Sequence, residues 1–252
     1  MAEQIPIPAW SPLAPHESRP GAEAATELVA GTTMLPPGRL QTLYGLGAYC
    51  ETAALPGAIV QCGVWKGGAA AVLARAGLDH GAGARPLHLF DAYDDICEPD
   101  EAIDGERAVR ESREQSGVTG PLRGRLRALR GVYDRFGGHG TVPEARTVVV
   151  DQAGYDAALV HFHLGWFQDT VAEAAPTIGP VALLHLDADF YAGTKLCLET
   201  FWAQVVPGGL VVIDDYATYD GCRAAVDEFL AQVQPAHLIN WMDEDARYVI
   251  KR

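Results

Sequence analysis

The 252-residue sequence has no apolar run approaching the ~20 residues that a membrane-spanning helix needs. Its N-terminus lacks the basic start and apolar core of a secretory leader, so a cytoplasmic protein is expected. Positive charge is scarce: 19 Lys and Arg stand against 33 Asp and Glu, a net charge of −14. Nucleic-acid affinity comes largely from basic side chains displacing counterions, so this balance argues against a nucleic-acid partner. It argues equally against an anionic membrane surface. Cysteine is sparse, with Cys50, Cys62, Cys97, Cys197 and Cys222 widely spaced and no C-x-x-C pair. That excludes a disulfide framework or thiolate zinc site and predicts reduced, mostly buried thiols. The dinucleotide fingerprint G-x-G-x-x-G is also missing, which weighs against nicotinamide chemistry.

What remains is a core-forming composition, 48% hydrophobic and 21% charged, of a length that fits one large α/β domain. Five prolines in the first twenty residues deny the backbone donors and predict an extended arm over 1–37, ahead of a domain over 38–252. The pattern predicts a helix over 38–54, a strand over 58–62 and a helix over 69–76. A second strand is read at 87–90 and a third at 159–163. Further strands are read at 181–186 and 210–213, with closing strands at 237–241 and 248–251. Helices are expected over 193–204, closed by Pro207-Gly208-Gly209, and over 224–231. Thr147–Asp151 is ambiguous: it has strand propensity, yet Pro143-Glu144 before it resembles a helix start and favours a helix. Apolar strands with little alternation, separated by helices, imply a mainly parallel sheet covered on both faces. Residues 98–146 carry nine Arg and nine Asp or Glu, too long a stretch for an ordinary connection, and read as an inserted lid. Arg123, Arg127 and Arg130 are expected to share a helix face within it. His139 is read as a surface histidine of the lid and His185 as a core or pocket histidine.

Three places can carry chemistry. The turn Gly63-Val64-Trp65-Lys66-Gly67-Gly68 follows the first strand, where glycines admit a ligand to the backbone and a helix N-terminus follows. Ala69-Ala70 stand where a P-loop needs Lys and Ser or Thr, which disfavours nucleoside triphosphates. Asp91, at the tip of the second strand, stands where doubly wound folds hold ribose hydroxyls. Asp187 ends one strand and Asp214-Asp215 end the next. If these two strands are neighbours, ~4.8 Å apart, the three carboxylates converge on one rim of the sheet. Carboxylates packed together repel unless a cation neutralises them, and oxygen-only ligands point to Mg²⁺. Asp189, two residues on, faces the same side as a partner or base ranked below Asp187.

Together these residues resemble the macrocin O-methyltransferase family. The resemblance runs from about Thr32 to the C-terminus, with 98–146 poorly matched. It is carried by Leu55-Pro56-Gly57, Gly63–Gly68, Gly165-Trp166-Phe167-Gln168-Asp169-Thr170 and Leu186-Asp187-Ala188-Asp189-Phe190-Tyr191. Pro207-Gly208-Gly209, Asp214-Asp215-Tyr216 and Cys222-Arg223-Ala224-Ala225-Val226-Asp227 complete it. The family usually has an acid where Gln61 stands, and a shorter segment after the second-strand acid. The resemblance implies a Rossmann-like class I methyltransferase sheet, S-adenosylmethionine as cofactor, Mg²⁺, and a sugar or glycosylated natural product as acceptor. It implies that Asp187, Asp214 and Asp215 hold the metal and that Asp187 is also the general base. Gly63, Val64, Trp65, Gly67, Gly68, Asp91 and Trp166 would hold the cofactor, in a homo-oligomer. An amine or catechol-like acceptor, a nicotinamide-dependent oxidoreductase and a non-catalytic binding relative are the other readings weighed.

Overall fold

A computed structural model describes residues 20–252. The first nineteen residues of the expected arm lie outside the described residues. Residues 20–37 are not extended throughout: α1 (Pro20–Leu28) packs on α2 (Pro37–Thr52) and α3 (Gly68–His80), and its Ala22 and Ala25 are buried in the core. Alanine and Glu-rich spacing outweighs the single helix-opening proline there, which is tolerated in a first turn.

The sheet has seven strands in the order β3-β2-β1-β4-β5-β7-β6. These are β1 (Ala58–Cys62), β2 (Leu87–Asp91), β3 (Val160–Leu164), β4 (Val181–Leu186), β5 (Val205–Ile213), β6 (Ile239–Trp241) and β7 (Arg247–Ile250). The first five are parallel, and β7 runs antiparallel between β5 and β6. Every residue of β1 and β4 is buried, because helices cover both faces and leave no side for polar alternation. On one face lie α1, α2 and α3; on the other lie α6 (Phe167–Ile178), α7 (Tyr191–Phe201) and α8 (Asp220–Gln232).

Two further expectations need correction. Residues 123–130 form irregular chain with isolated bridges at Cys97–Ala128 and Asp100–Arg123, not a helix face. The inserted segment is helical only at α4 (Gly105–Ser116), a short 3₁₀ turn and α5 (Val142–Arg146). Pro207-Gly208-Gly209 does not precede β5 but lies inside it, as a bulge against β4: Val205 pairs with Val181, and the next pair is Leu210 with Leu183. Thr147–Gln152 is helical, as a π-turn, and joins the α3 face. No described helix is long and apolar enough to cross a membrane. All five cysteines are free, and all but Cys97 are buried.

Candidate active site

Strand order reverses between β1 and β4, and such switch points open a crevice at the carboxyl ends of the strands. β1 leaves the sheet there through Gly63, at φ +91°, where an added Cβ would stand 1.8 Å from the Asp187 carbonyl oxygen. Only glycine lets the turn pass the end of β4. The turn is held by Asp91, whose Oδ2 accepts the N–H groups of Val64 (2.7 Å) and Trp65 (2.8 Å). Its Oδ1 accepts from Tyr93 N (2.6 Å). Burial pushes this carboxyl up, against the pull of those three N–H groups. Asp91 therefore shapes the turn as well as lining the cleft, and Oδ1 keeps one lone pair without a partner. The N-terminus of α3 is less open than the sequence suggested, since Gly67 N donates to Val64 O and Gly68 N to Thr32 O. Trp65, at φ 49°, turns its indole onto the inserted segment, donating Nε1–H to Gly138 O (3.1 Å). Gly140 fits only without a side chain, because a Cβ would lie 2.0 Å from Trp65 O.

Across the switch point, Asp187 N donates to Cys62 O and Asp214 N to Leu186 O, each at 2.8 Å. These bonds carry the ladder one step past the strands and bring the aspartates level. One oxygen each from Asp187, Asp214 and Asp215 lies within 4.8 Å of the others. Burial pushes Asp187 and Asp215 well up, followed by repulsion from Asp214 and Asp215 at Asp187 and from Asp189 and Asp214 at Asp215. Asp215 Oδ2 is buried with no hydrogen-bond partner. Asp189 sits at φ 55° in a tight turn closed by Phe190 N to Ala188 O (2.6 Å). Among the described residues, neither its carboxyl nor that of Asp187 makes a hydrogen bond.

Both halves face one cleft of about 220 Å³. Gly63, Val64, Trp65, Asp91 and Trp166 line it on one side, and Asp187 and Asp189 on the other. Gly67 and Gly68 lie behind the turn, against Ala145 and Thr32. Asp214 and Asp215 sit beneath Asp187. Ile103, Leu126 and Met34, each 42–46% exposed, form an apolar mouth.

A family model described as Macrocin-O-methyltransferase (TylF) matches residues 14–136 and 145–251. The chain belongs to the macrocin-O-methyltransferase family. Family relatives include the 8-demethyl-8-(2,3-dimethoxy-alpha-L-rhamnosyl)-tetracenomycin-C 4'-O-methyltransferase of Streptomyces olivaceus. It is 34% identical over 187 residues, 72% of this chain and 62% of that one. The demethyldecarbamoylnovobiocin O-methyltransferase of Streptomyces niveus is 29% identical over 77% of this chain and 66% of its own. The chain thus spans about two thirds or less of the length of these relatives. The solved structure of the O-methyltransferase NovP superposes with a TM-score of 0.68 at 27% identity, covering 87% of this chain and 82% of that one. The calicheamicin methyltransferase CalS11, at 16% identity and a TM-score of 0.57, shares the fold over 99% of this chain and 98% of its own.

Gln61 stands at the end of β1, next to the turn. It is buried; its Nε2 donates to Gly63 O (2.7 Å) and its Oε1 has no partner. His139 lies within 4.8 Å of Asp94 and Asp95 at the cleft rim, and its charge bears on Asp91. His185 is fully buried, with Nε2 3.4 Å from Asp214 Oδ1. Arg127 and Arg125 grip Glu98, Arg130 grips Asp94, and Arg123 alone of the expected arginines lines the cleft. Two residues were missed. Arg39 of α2 reaches Asp214, and Tyr133 enters the cleft from the inserted segment, close enough to Asp189, Asp91 and Asp187 for their charges to raise its hydroxyl after burial does. Neither stands in a motif, and no local spacing marks them.

Proposed function

We propose that this chain is an S-adenosylmethionine-dependent, Mg²⁺-assisted O-methyltransferase acting on a hydroxyl of a sugar or glycosylated natural product. The observation that carries it is the cluster of three strand-end aspartates, of which Asp187 lines the same cleft as the glycine turn. The donor set fits a hard divalent cation: oxygen ligands only, one of them a buried carboxylate oxygen without a partner. When bound, the cofactor supplies a methyl group on a sulfonium, and Mg²⁺ lowers the acceptor hydroxyl's pKa and fixes its position.

The residues divide the remaining work. Gly63, Val64, Trp65, Asp91 and Trp166, with Gly67 and Gly68 behind, form the cofactor side. Asp187, Asp214 and Asp215 hold the cation. The family resemblance implies that Asp187 takes the proton as well; a carboxylate engaged with a cation is a weak base, and Asp189 beside it has both oxygens free, so we assign the proton to Asp189. Tyr133 and the inserted segment cover the cleft and exclude water, which strengthens every charge interaction inside. The residues on the two sides of the cleft would hold cofactor and acceptor against each other, a gain of orientation rather than of new bonds. The lining carries eight carboxylates against the one arginine, Arg123, which opposes a nucleoside diphosphate sugar. The apolar mouth suits the aglycone of a glycoside.

The test is calorimetric titration of S-adenosylhomocysteine in Mg²⁺ and in EDTA, followed by methyl-transfer assays on glycosylated aromatic and macrolide acceptors. Micromolar binding and turnover support the reading. Asp187→Asn is expected to lose metal binding and turnover together. Asp189→Asn is expected to keep both ligands and lose turnover by 10²-fold or more, a typical general-base contribution of about 10²–10⁴. No binding of S-adenosylhomocysteine in either buffer would sink the proposal, and titration with a reduced nicotinamide would follow.

A further inference from the structure

Arg39 is 7% exposed in its side chain, and its whole guanidinium is engaged. Nη1 donates to Asp214 Oδ2 at 2.5 Å and to the Asp214 carbonyl at 3.4 Å. Nε donates to Asp243 Oδ2 at 2.6 Å; Nη2 donates to Asp243 Oδ1 at 3.0 Å and to Asp245 Oδ2 at 3.3 Å. Asp243 is itself fixed, since its Oδ1 accepts the N–H groups of Asp245 (2.9 Å) and Ala246 (2.8 Å) in the turn between β6 and β7. A rigid turn thus holds a planar fork, and the fork holds one oxygen of Asp214. On the other side, His185 Nε2 stands near Oδ1.

We propose that Arg39, locked by Asp243 and Asp245, is a positioning residue for the cation site. It occupies Asp214 Oδ2 and so presents Oδ1 to the ion, fixing the rotamer of a ligand that otherwise swings between equivalent oxygens. The inference rests on reading the three aspartates as a cation site. Arginine suits the task because its flat, five-donor fork reaches several carboxylates at once, which a lysine ammonium on a flexible stem does not. A plain structural tie between α2 and the β6–β7 hairpin needs no contact with Asp214. A buried ion pair is in any case a weak source of stability compared with an apolar contact. Partners of metal ligands commonly set ligand orientation and cost about 10–100-fold in affinity when removed.

The signs of the competing roles differ. Removing a nearby cation strengthens an acidic site if charge alone matters, leaves it unchanged if the role is structural, and weakens it if Arg39 sets geometry. The experiment measures Mn²⁺ binding by electron paramagnetic resonance, with and without S-adenosylhomocysteine. It compares the full chain with Arg39→Met, Arg39→Lys, Asp243→Asn and Asp215→Asn, with melting of each in EDTA. We expect Asp215→Asn to abolish binding, Arg39→Met to weaken it tenfold or more, Arg39→Lys to recover only part, and Asp243→Asn to weaken it severalfold while still folded. Should Arg39→Met fail to fold, Asp243→Asn carries the test. Variants that bind Mn²⁺ as well as or better than the wild type overturn the positioning role. A wild type that binds no Mn²⁺ under either condition removes the cation site itself, a different failure.

Discussion

Gln61 shows how one buried residue can tie a strand to the turn that follows it. Its amide donates to Gly63 O and so joins the end of β1 to the first residue of the glycine turn. The other end of the amide is an unpaired buried oxygen, and the register partner on β4, His185, has an unpaired buried Nδ1 on the same face. A glutamate here cannot donate to Gly63 O while ionised and places a charge at a buried position. Gln61→Glu is therefore expected to cost about 1–3 kcal/mol at neutral pH. Burial would raise the new carboxyl above its unfolded value of ~4.3, so the penalty is small below that pH and grows as pH rises through and beyond it. Urea unfolding at pH 4 and pH 7.5 measures this. A gap to the wild type that is equal at both pH values would mean that the carboxylate has found a cation, and would refute the argument.

At the scale of elements, the inserted segment is held by a buried acid rather than by regular structure. The Glu98 side chain is 0% exposed; Oε1 accepts Arg123 N (2.6 Å) and Arg125 Nε (3.2 Å), and Oε2 accepts Arg127 Nε (2.5 Å). Burial alone would raise this carboxyl, but the Arg123 N–H and then the two guanidinium groups hold it down at about 2. Its folded value lies below its ordinary one of 4.5, so its contribution is present in full above about pH 4.5 and is lost as pH falls toward 2. Glu98→Gln is expected to speed amide exchange over residues 98–130 roughly tenfold at neutral pH, a loss of about 1.4 kcal/mol local to the segment. Its stability should also fall less steeply than that of the wild type between pH 4.5 and 2. Uniformly faster exchange across the sheet would show that Glu98 is not local. This arrangement was only partly legible. Arginines at 123, 127 and 130 suggest helical spacing, yet Arg125 between them gives period two, the mark of extended chain. β1 and β4 were legible because a short apolar run bounded by turns has few other readings, whereas the bulged opening of β5 was hidden by Pro207-Gly208-Gly209. Arg39 was illegible for a plain reason: its partners lie 175 and 204 residues away, and no periodicity reports a contact that only the closed fold creates.

For the molecule as a whole, the parallel order of β2, β1, β4 and β5 puts every chemical group on one rim. The glycine turn and the acid cluster belong to adjacent strands, joined by backbone bonds from Asp187 to Cys62 and from Asp214 to Leu186. The metal-free protein then holds Asp187, Asp215 and Asp189 close together at a cost in mutual repulsion, which a divalent ion removes only in the folded state. Binding to the folded form alone stabilises by about 2.7 kcal/mol at 100 times the dissociation constant. In a chain of this size, 1 kcal/mol moves the melting temperature by ~2–4 °C, so saturating Mg²⁺ or Mn²⁺ should raise it by roughly 5–11 °C. S-adenosylhomocysteine should add a further shift, and Asp215→Asn should keep that shift while losing the one due to metal. The pattern separates the two halves of the rim, because a variant that loses both has lost the sheet edge rather than a ligand. If millimolar Mg²⁺ and Mn²⁺ leave the melting temperature unchanged with or without S-adenosylhomocysteine, the three aspartates do not form a cation site, and their repulsion must be relieved by shared protons instead.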